Sequence, residues 1–295
     1  MKELKGTMVV MVTPFTEDGR FDEQGFRSNI DWYIAEGIHG LICTGSTSEF
    51  ANMDIEEIHR CIDVTVDQAG GRVPVMAGTA ANTTKKTIEL TQYAQHAGAD
   101  AALIVSPFYG LPNQDELYEH FKAIGENTDI SIMIYNNPWY SGVDILPETV
   151  AKIAGSPNIK YIKESTGDIR RVHEIQRLCG NDIDVWCGWE DLAYECFLMD
   201  CGGWVCPTAN LLPAKCAKLF NLAQDGKYKE AKQCYFELLV FLNYLEAGDL
   251  LAKVKSGLNL LRHSGGIPRR PFLPLAEKNI AELKCMLVEA GVLST

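Results

Sequence analysis

The chain has 295 residues, 46% hydrophobic and 22% charged, with 27 basic against 39 acidic residues and a formal net charge of −12. That composition suits one large α/β domain or two small ones, and the negative balance argues against nucleic acid or an anionic membrane as partner. No run approaches the ~18 apolar residues that span a bilayer. The opening MKELKGTMVV also lacks the apolar core of a signal peptide, so a cytoplasmic location is expected.

Eight apolar or β-branched runs follow one another along the chain. They are MVVMVTPF (8–15), GLICTGST (40–47), VPVMAGTA (73–80), AALIVSPF (101–108), SIMIYNNP (131–138), IKYIKEST (159–166), DVWCGWE (184–190) and GWVCPTAN (203–210). They start about 28 residues apart on average, and near-continuous apolar runs of this kind are what buried parallel strands look like. The stretches between them carry helix punctuation. NTTKKTIELTQYAQHAGAD opens on capping residues and stops at glycine, and DIEEIHRCIDVTVDQAGG has acids in its first turn.

Eight such units predict a closed (β/α)8 TIM barrel over residues 1–225. An open doubly wound sheet is the competing architecture, but the regular count and the lack of a GxGxxG turn weigh against it. Residues 226–295 read as a C-terminal extension of three helices, packed on the barrel's side near the mouth or at an oligomer contact. Ten cysteines without a CxxC pair or zinc-type spacing read as reduced, mostly buried thiols.

Barrel enzymes place their chemistry at the C-terminal ends of the strands. Metal chemistry would put histidines and carboxylates there, but all six histidines fall in helices or on the wrong side of a strand. A phosphate site would need a glycine-rich loop after strands 7 and 8, where GWED and CPTAN stand instead. What remains is Lys163 on strand 6, Tyr135 on strand 5 and the hydroxyl-rich GSTSE after strand 2.

That inventory suits Schiff-base chemistry. Burial lowers a lysine's pKa, a neutral amine attacks a ketone, and the resulting iminium is an electron sink for breaking a neighbouring bond. Tyr161, Lys163 and Ser165 share one face by strand alternation, while Lys160 points the other way. The alternative is an incidental lysine paired with a neighbour such as Glu164. Tyr135 is placed to shuttle protons, and GSTSE offers hydroxyls and backbone N–H groups to a small carboxylate. A dry, mostly preformed pocket walled by Phe108, Tyr135, Trp139 and Trp189 is expected at the mouth.

GSTSE, SPFYGLPNQ, YNNP…SGVD and IKEST, each on its required strand, resemble the dihydrodipicolinate synthase / N-acetylneuraminate lyase family over about residues 5–225. The resemblance implies a class I aldolase-type barrel. Such a barrel is usually a homotetramer built from dimers, acting on pyruvate or a related 2-oxo acid with neither metal nor organic cofactor. It makes Lys163 the Schiff-base lysine and Tyr135 the proton relay. Ser46 and Thr47 become the pair holding the carboxylate, with Thr47 also in the relay. Tyr109 becomes the tyrosine inserted into a neighbouring subunit's site. The substrate positions it implies are Ser46, Thr47, Tyr140, Gly188, Glu190 and Pro207.

Three departures bear on the substrate. Tyr140 stands where the synthases carry an arginine for the aldehyde's carboxylate, so lysine biosynthesis is not expected. Ser48 replaces the usual glycine. GWED is similar to the turn with which sialic acid lyases contact sugar hydroxyls. NNP…SGVD, KESTGD, GW…P…NLLP and PRRPFLPL also look like a branch that includes deaminases of 1-pyrroline-4-hydroxy-2-carboxylate, and that activity is the named expectation. The rivals are a dihydrodipicolinate synthase, a sugar-acid aldolase, a metal-dependent aldolase or hydratase, and a non-catalytic barrel that binds a 2-oxo acid.

Overall fold

The computed structural model describes residues 2 and 4–294. Each apolar run holds one strand: β1 Gly6–Val10, β2 Gly40–Cys43, β3 Val75–Gly78, β4 Ala101–Val105, β5 Ser131–Asn136, β6 Ile159–Glu164, β7 Asp184–Cys187 and β8 Gly203–Cys206. They close in chain order, every neighbouring pair parallel, with Gly6↔Gly203 and Val9↔Cys206 sealing β1 to β8. The architecture is a (β/α)8 barrel. Apart from Lys160 on β6 and two half-buried strand starts, Ser131 and Asp184, the strands are buried along their whole length. Burial on both faces by barrel core and helix ring is why these segments read as continuous apolar runs.

The strands stop short of the runs' ends, because the last residues of each run turn into the loops that form the mouth. β2, for example, ends at Cys43, and the next residue, Thr44, takes a left-handed backbone with φ 53°. The helix signals hold in detail. Asp54 and Glu57 form a capping box on Ile55–Ala69, while Thr83 caps Thr84–Ala97 through the Lys86 N–H. Gly70 and Gly98 end these helices in the left-handed conformation that a side chain resists.

Three helices, Tyr228–Glu246, Leu250–Leu260 and Glu277–Glu289, follow the barrel helix Pro213–Gln224. The first packs on that helix and on the turn Glu190–Leu192 after β7. The second packs on the turn Thr208–Asn210 after β8. The extension therefore reaches the mouth on its β7–β8 side. Of the six histidines, four lie in helices. His39 precedes β2, where its Nδ1 accepts the Thr7 N–H, and His263 lies in the turn after Leu250–Leu260, stacked on Trp32. Nine cysteines are buried and Cys285 is exposed, all as free thiols. No helix among the described residues is long and apolar enough to cross a membrane.

Candidate active site

Strand register brings the two leading residues together. Tyr135 on β5 pairs with Lys163 on β6, and Asn136 with Glu164. Lys163 is 6% exposed, and its Nζ lies 4.0 Å from the centroid of the Tyr135 ring, itself 5% exposed. The Asn137 amide donates to the Tyr135 hydroxyl at 2.7 Å, which leaves that hydroxyl's own proton free to be given elsewhere. Glu164 does not pair with Lys163. Its carboxylate accepts from Asn136 Nδ2 at 3.0 Å and from the Thr166 N–H at 2.7 Å, with burial pushing its pKa up against those bonds. The lysine therefore stands in the barrel without a carboxylate bonded to it among the described residues.

The turn after β2 is tightly wound. The Ser48 N–H bonds to the Gly45 carbonyl at 3.0 Å, and the Glu49 N–H to the Ser46 carbonyl at 3.1 Å. Ser48, the departure from glycine, is a brace: its hydroxyl donates to the Met11 carbonyl on the β1 side and accepts the Gly45 N–H at 3.1 Å. Among the described residues the backbone N–H groups of Ser46 and Thr47 are committed to no protein acceptor. Two such adjacent donors, with two hydroxyls, are what a carboxylate needs.

Gly188 lies against the lysine. A Cβ there would meet Ser165 Oγ at 2.0 Å, the Glu164 carbonyl at 2.7 Å and Lys163 Cγ at 2.8 Å, so only glycine lets β7 pass this close. Pro207 sits at the end of β8, its carbonyl accepting from Asn210 Nδ2 at 2.8 Å. Glu190 departs from expectation. It was expected to face the substrate, yet it is 2% exposed and its carboxylate is spent on the Thr208 N–H (3.2 Å), the Thr208 hydroxyl (3.0 Å) and the Cys206 thiol (3.7 Å). Burial first, then the neighbouring Glu246, raises its pKa to about 8, and Lys163 pulls in the opposite direction. Glu190 thus bridges the β7 and β8 loops through Thr208.

A cavity of about 800 Å³ opens beside the β2 turn; neither Lys163 nor Tyr135 is among its lining residues. Ser46, Thr47, Val105 and Phe108 line its barrel side; Leu250, Leu251, Phe272 and Leu275 of the extension line the other; Tyr140 stands at its rim. Of the four residues expected to wall it, Phe108 lines this cavity and Tyr135, Trp139 and Trp189 do not. Trp139 and Trp189 sit together elsewhere on the mouth, ring centroids 6.4 Å apart, with Trp139 Nε1 bonded to the Thr166 carbonyl. The reason is Pro138, which starts the short helix Pro138–Ser141 capped by Asn137 and swings Trp139 and Tyr140 outward. Tyr140 is 72% exposed, and its phenol is held above its ordinary pKa by desolvation, then by Tyr135 and Glu246. Tyr109 is 89% exposed and does not enter this chain's own cavity.

Sequence reasoning missed Asn137, although Asn before Pro is a recognisable helix start. It missed the wall formed by residues 271–276, for which no local signal exists. It also missed Lys255, whose signal was present: Leu251, Val254, Lys255 and Leu258 share one helical stripe, so this lysine had to be buried.

An amine buried at the top of β6, against a phenol and without a bonded carboxylate among the described residues, suits imine chemistry. With the family match that follows, the protein is a lyase of the class I, Schiff-base aldolase type. It belongs to the dihydrodipicolinate synthetase family, whose model matches residues 3–290. It is 38% identical over 291 residues to the 4-hydroxy-tetrahydrodipicolinate synthase of Geotalea uraniireducens, covering 98% of this chain and 99% of that one. To the synthase of the same name from Acidithiobacillus ferrooxidans it is 42% identical, covering 95% and 96%. The solved chloride-inhibited dihydrodipicolinate synthase of Acinetobacter baumannii, complexed with pyruvate, superposes with a TM-score of 0.95 at 32% identity. That match covers 99% of this chain and 100% of the other.

Proposed function

We propose that this enzyme forms a Schiff base between Lys163 and the carbonyl of a 2-oxo acid, pyruvate being the simplest, and that its second substrate or leaving group carries no further carboxylate. One observation carries the second half. Among the described residues lining the 800 Å³ cavity none is a lysine, arginine or histidine, and Tyr140 occupies the rim where a cation would be needed. A buried carboxylate without a charge partner costs several kcal/mol, so such a cavity rejects it.

The steps follow from the placement of the groups. The Nζ of Lys163 attacks C2, and the carbonyl oxygen leaves as water as the C=N bond forms. The Ser46 and Thr47 N–H groups and hydroxyls hold the carboxylate, while Tyr135 carries protons on and off. The iminium then accepts the electrons of the bond broken at C3.

The named activity that this reading favours is deamination of 1-pyrroline-4-hydroxy-2-carboxylate, which has a single carboxylate. Nζ displaces the ring nitrogen from C2, leaving it as an amine on C5. Loss of a C3 proton and the C4 hydroxyl removes one water, and proton shifts from C5 and its amine to C3 and C4 then turn that amine into an imine. Hydrolysis at C5 and at the lysine imine then takes up two, releasing ammonia and an aldehyde-bearing 2-oxo acid.

The names of the relatives favour a second reading, condensation of pyruvate with a carboxylate-bearing aldehyde. Borohydride trapping with pyruvate followed by peptide mapping tests the shared chemistry, for which a single adduct on Lys163 is required. Ammonia release from the cyclic imine, set beside consumption of the aldehyde, separates the two activities. Activity with the aldehyde alone would overturn the deaminase reading.

The same reading makes the protein a cytoplasmic homotetramer in which Tyr109 serves a neighbour's site. Its exposure, with that of Leu111 at 59%, supports a contact there, and sedimentation equilibrium checks it.

A further inference from the structure

The turn that carries Ser46 and Thr47 is bounded by two left-handed residues that are not glycine, Thr44 at φ 53° and Glu49 at φ 62°. Such backbones are strained for residues with a side chain and persist only where the surroundings over-determine them. At Thr44 the restraint is local: its hydroxyl donates to the Gly78 carbonyl at 2.8 Å. At Glu49 the restraint comes from the far end of the chain. The Glu49 side chain is wholly buried, forms an ion pair with Lys255 Nζ, and accepts the Arg269 N–H at 2.8 Å.

Both partners are themselves held. Lys255, 1% exposed, also donates to the Ile267 carbonyl at 2.9 Å, and its ammonium lies 4.6 Å from the Phe15 ring centroid. The Arg269 guanidinium grips the Glu57 carboxylate and the carbonyls of Asn52 and Gly19, and stacks 3.8 Å from the same Phe15 ring. Gly266 lets this strap lie flat. Its φ is 64°, and a Cβ there would meet the Phe15 backbone at 2.4 Å.

Two ions withdrawn from water regain their solvation only partly from each other, and apolar residues of similar volume often serve stability as well or better. In keeping with this, burial lowers Lys255 to about 8 even beside Glu49. Stability alone is therefore a poor account of the pair. What it uniquely provides is direction, since a carboxylate fixed by two donors on the extension cannot rotate, and neither can the backbone that bears it.

We propose that Lys255 and Arg269, both from the C-terminal extension, are positioning residues for the reaction, holding the turn through Glu49 so that Ser46 and Thr47 meet the carboxylate of the 2-oxo acid. The proposal rests on the reading of that turn as the carboxylate cradle.

The test is the pyruvate concentration giving half-maximal borohydride trapping on Lys163, read together with the plateau of trapped protein. Lys255→Met, and Glu49→Gln with Lys255→Met so that no unpaired charge is buried, raise the half-saturating concentration tenfold or more. Both leave the plateau where it was. Lys253→Met serves as the control. It removes a neighbouring lysine of the same helix, 7% exposed and bonded to the Tyr244 carbonyl. It lowers Tm without moving half-saturation.

Thr47→Val raises half-saturation by itself, and added to the Glu49→Gln/Lys255→Met pair it has less than its separate effect, because both act on one turn. A folded double variant with wild-type half-saturation overturns the proposal. If neither Lys255 variant folds, Arg269→Met decides. It keeps the ion pair and the N–H to Glu49 but releases the guanidinium grip on Glu57, Asn52 and Gly19 that fixes where that N–H points. A rise of about threefold supports the proposal and an unchanged value overturns it. No adduct on wild-type Lys163, or an unchanged half-saturation in Thr47→Val, overturns the cradle reading and the proposal with it.

Discussion

Tyr135 and Lys163 face each other across β5 and β6 as register partners, the amine 4.0 Å from the centroid of the phenol ring. The contact serves two ends. The ring face tolerates the ammonium in a site that offers it no bonded carboxylate, and the hydroxyl, held by Asn137, keeps its proton available. Removal of that hydroxyl in Tyr135→Phe leaves the ring in place. Turnover then falls about 10²–10⁴-fold, the range of a lost general acid–base, while the plateau of the borohydride adduct stays. Lys163→Ala yields no adduct at all. A Tyr135→Phe enzyme with wild-type turnover would assign the proton transfers elsewhere.

Gly188→Ala puts a methyl into the space of Ser165 Oγ, the Glu164 carbonyl and Lys163 Cγ. Two of these three belong to the strand that presents the lysine, so the strain reaches the chemistry directly. The expected cost is about 1–3 kcal/mol of stability, as for other overpacked cores, with kcat reduced more than KM. Thermal unfolding and steady-state kinetics on the same preparation check it. A stable variant with unaltered kcat would mean that β7 shifts without moving Lys163.

Glu190 gives the enzyme a pH dependence of stability. Its pKa is raised in the fold to about 8, chiefly by burial, while in the unfolded chain it titrates near the ordinary carboxylate value of 4.5. Between roughly pH 4.5 and 8 the folded protein therefore binds the extra proton, and stability falls as pH rises through that window. Glu190→Gln keeps the bonds to Thr208 satisfied without a titrating proton, so its Tm declines less between about pH 5 and 8. The gap at the alkaline end corresponds to a few kcal/mol in order of magnitude. Glu246, shifted in the same direction, leaves some slope behind. Parallel Tm–pH curves for the two proteins would contradict the burial argument.

The parts legible in the sequence were those whose cause is local or periodic. The eight strands were visible because burial on two faces leaves an unbroken apolar run, and Lys163 was conspicuous because IKYIK admits no charge without a reason. Glu190 was expected to touch the substrate because GWED is similar to the turn with which sialic acid lyases contact sugar hydroxyls, and the burial of its side chain was not visible in that likeness. Its carboxylate is withdrawn by Thr208, a partner that exists only because β7 and β8 are neighbours. Trp139 was misplaced because one proline starts a helical turn that rotates it off the expected wall. The cavity's outer wall and the Glu49–Lys255 pair join residues more than 200 positions apart, and no pattern within one segment announces such a meeting.

Tyr140 offers a direct test of what the cavity refuses. It ends a short helix at the rim, 72% exposed, its N–H accepted by the Asn137 side chain, so a longer side chain there meets open space. Exposed positions of this kind usually tolerate exchange within about 0.5 kcal/mol. Tyr140→Arg brings a guanidinium to a cavity that no cation lines among the described residues. A charged hydrogen bond to a carboxylate is worth about 1.5–3 kcal/mol, which is roughly ten- to a hundredfold in affinity. The half-saturating concentration of a carboxylate-bearing aldehyde should fall by that factor, and that of a neutral aldehyde of equal size should not change. Trapping of pyruvate alone should also be unaltered, because the cradle on the β2 turn is untouched. If the wild-type enzyme already uses the carboxylate-bearing aldehyde efficiently and the arginine adds nothing, the second carboxylate is met by a cation from outside this cavity. In that case Tyr140 does not set the specificity.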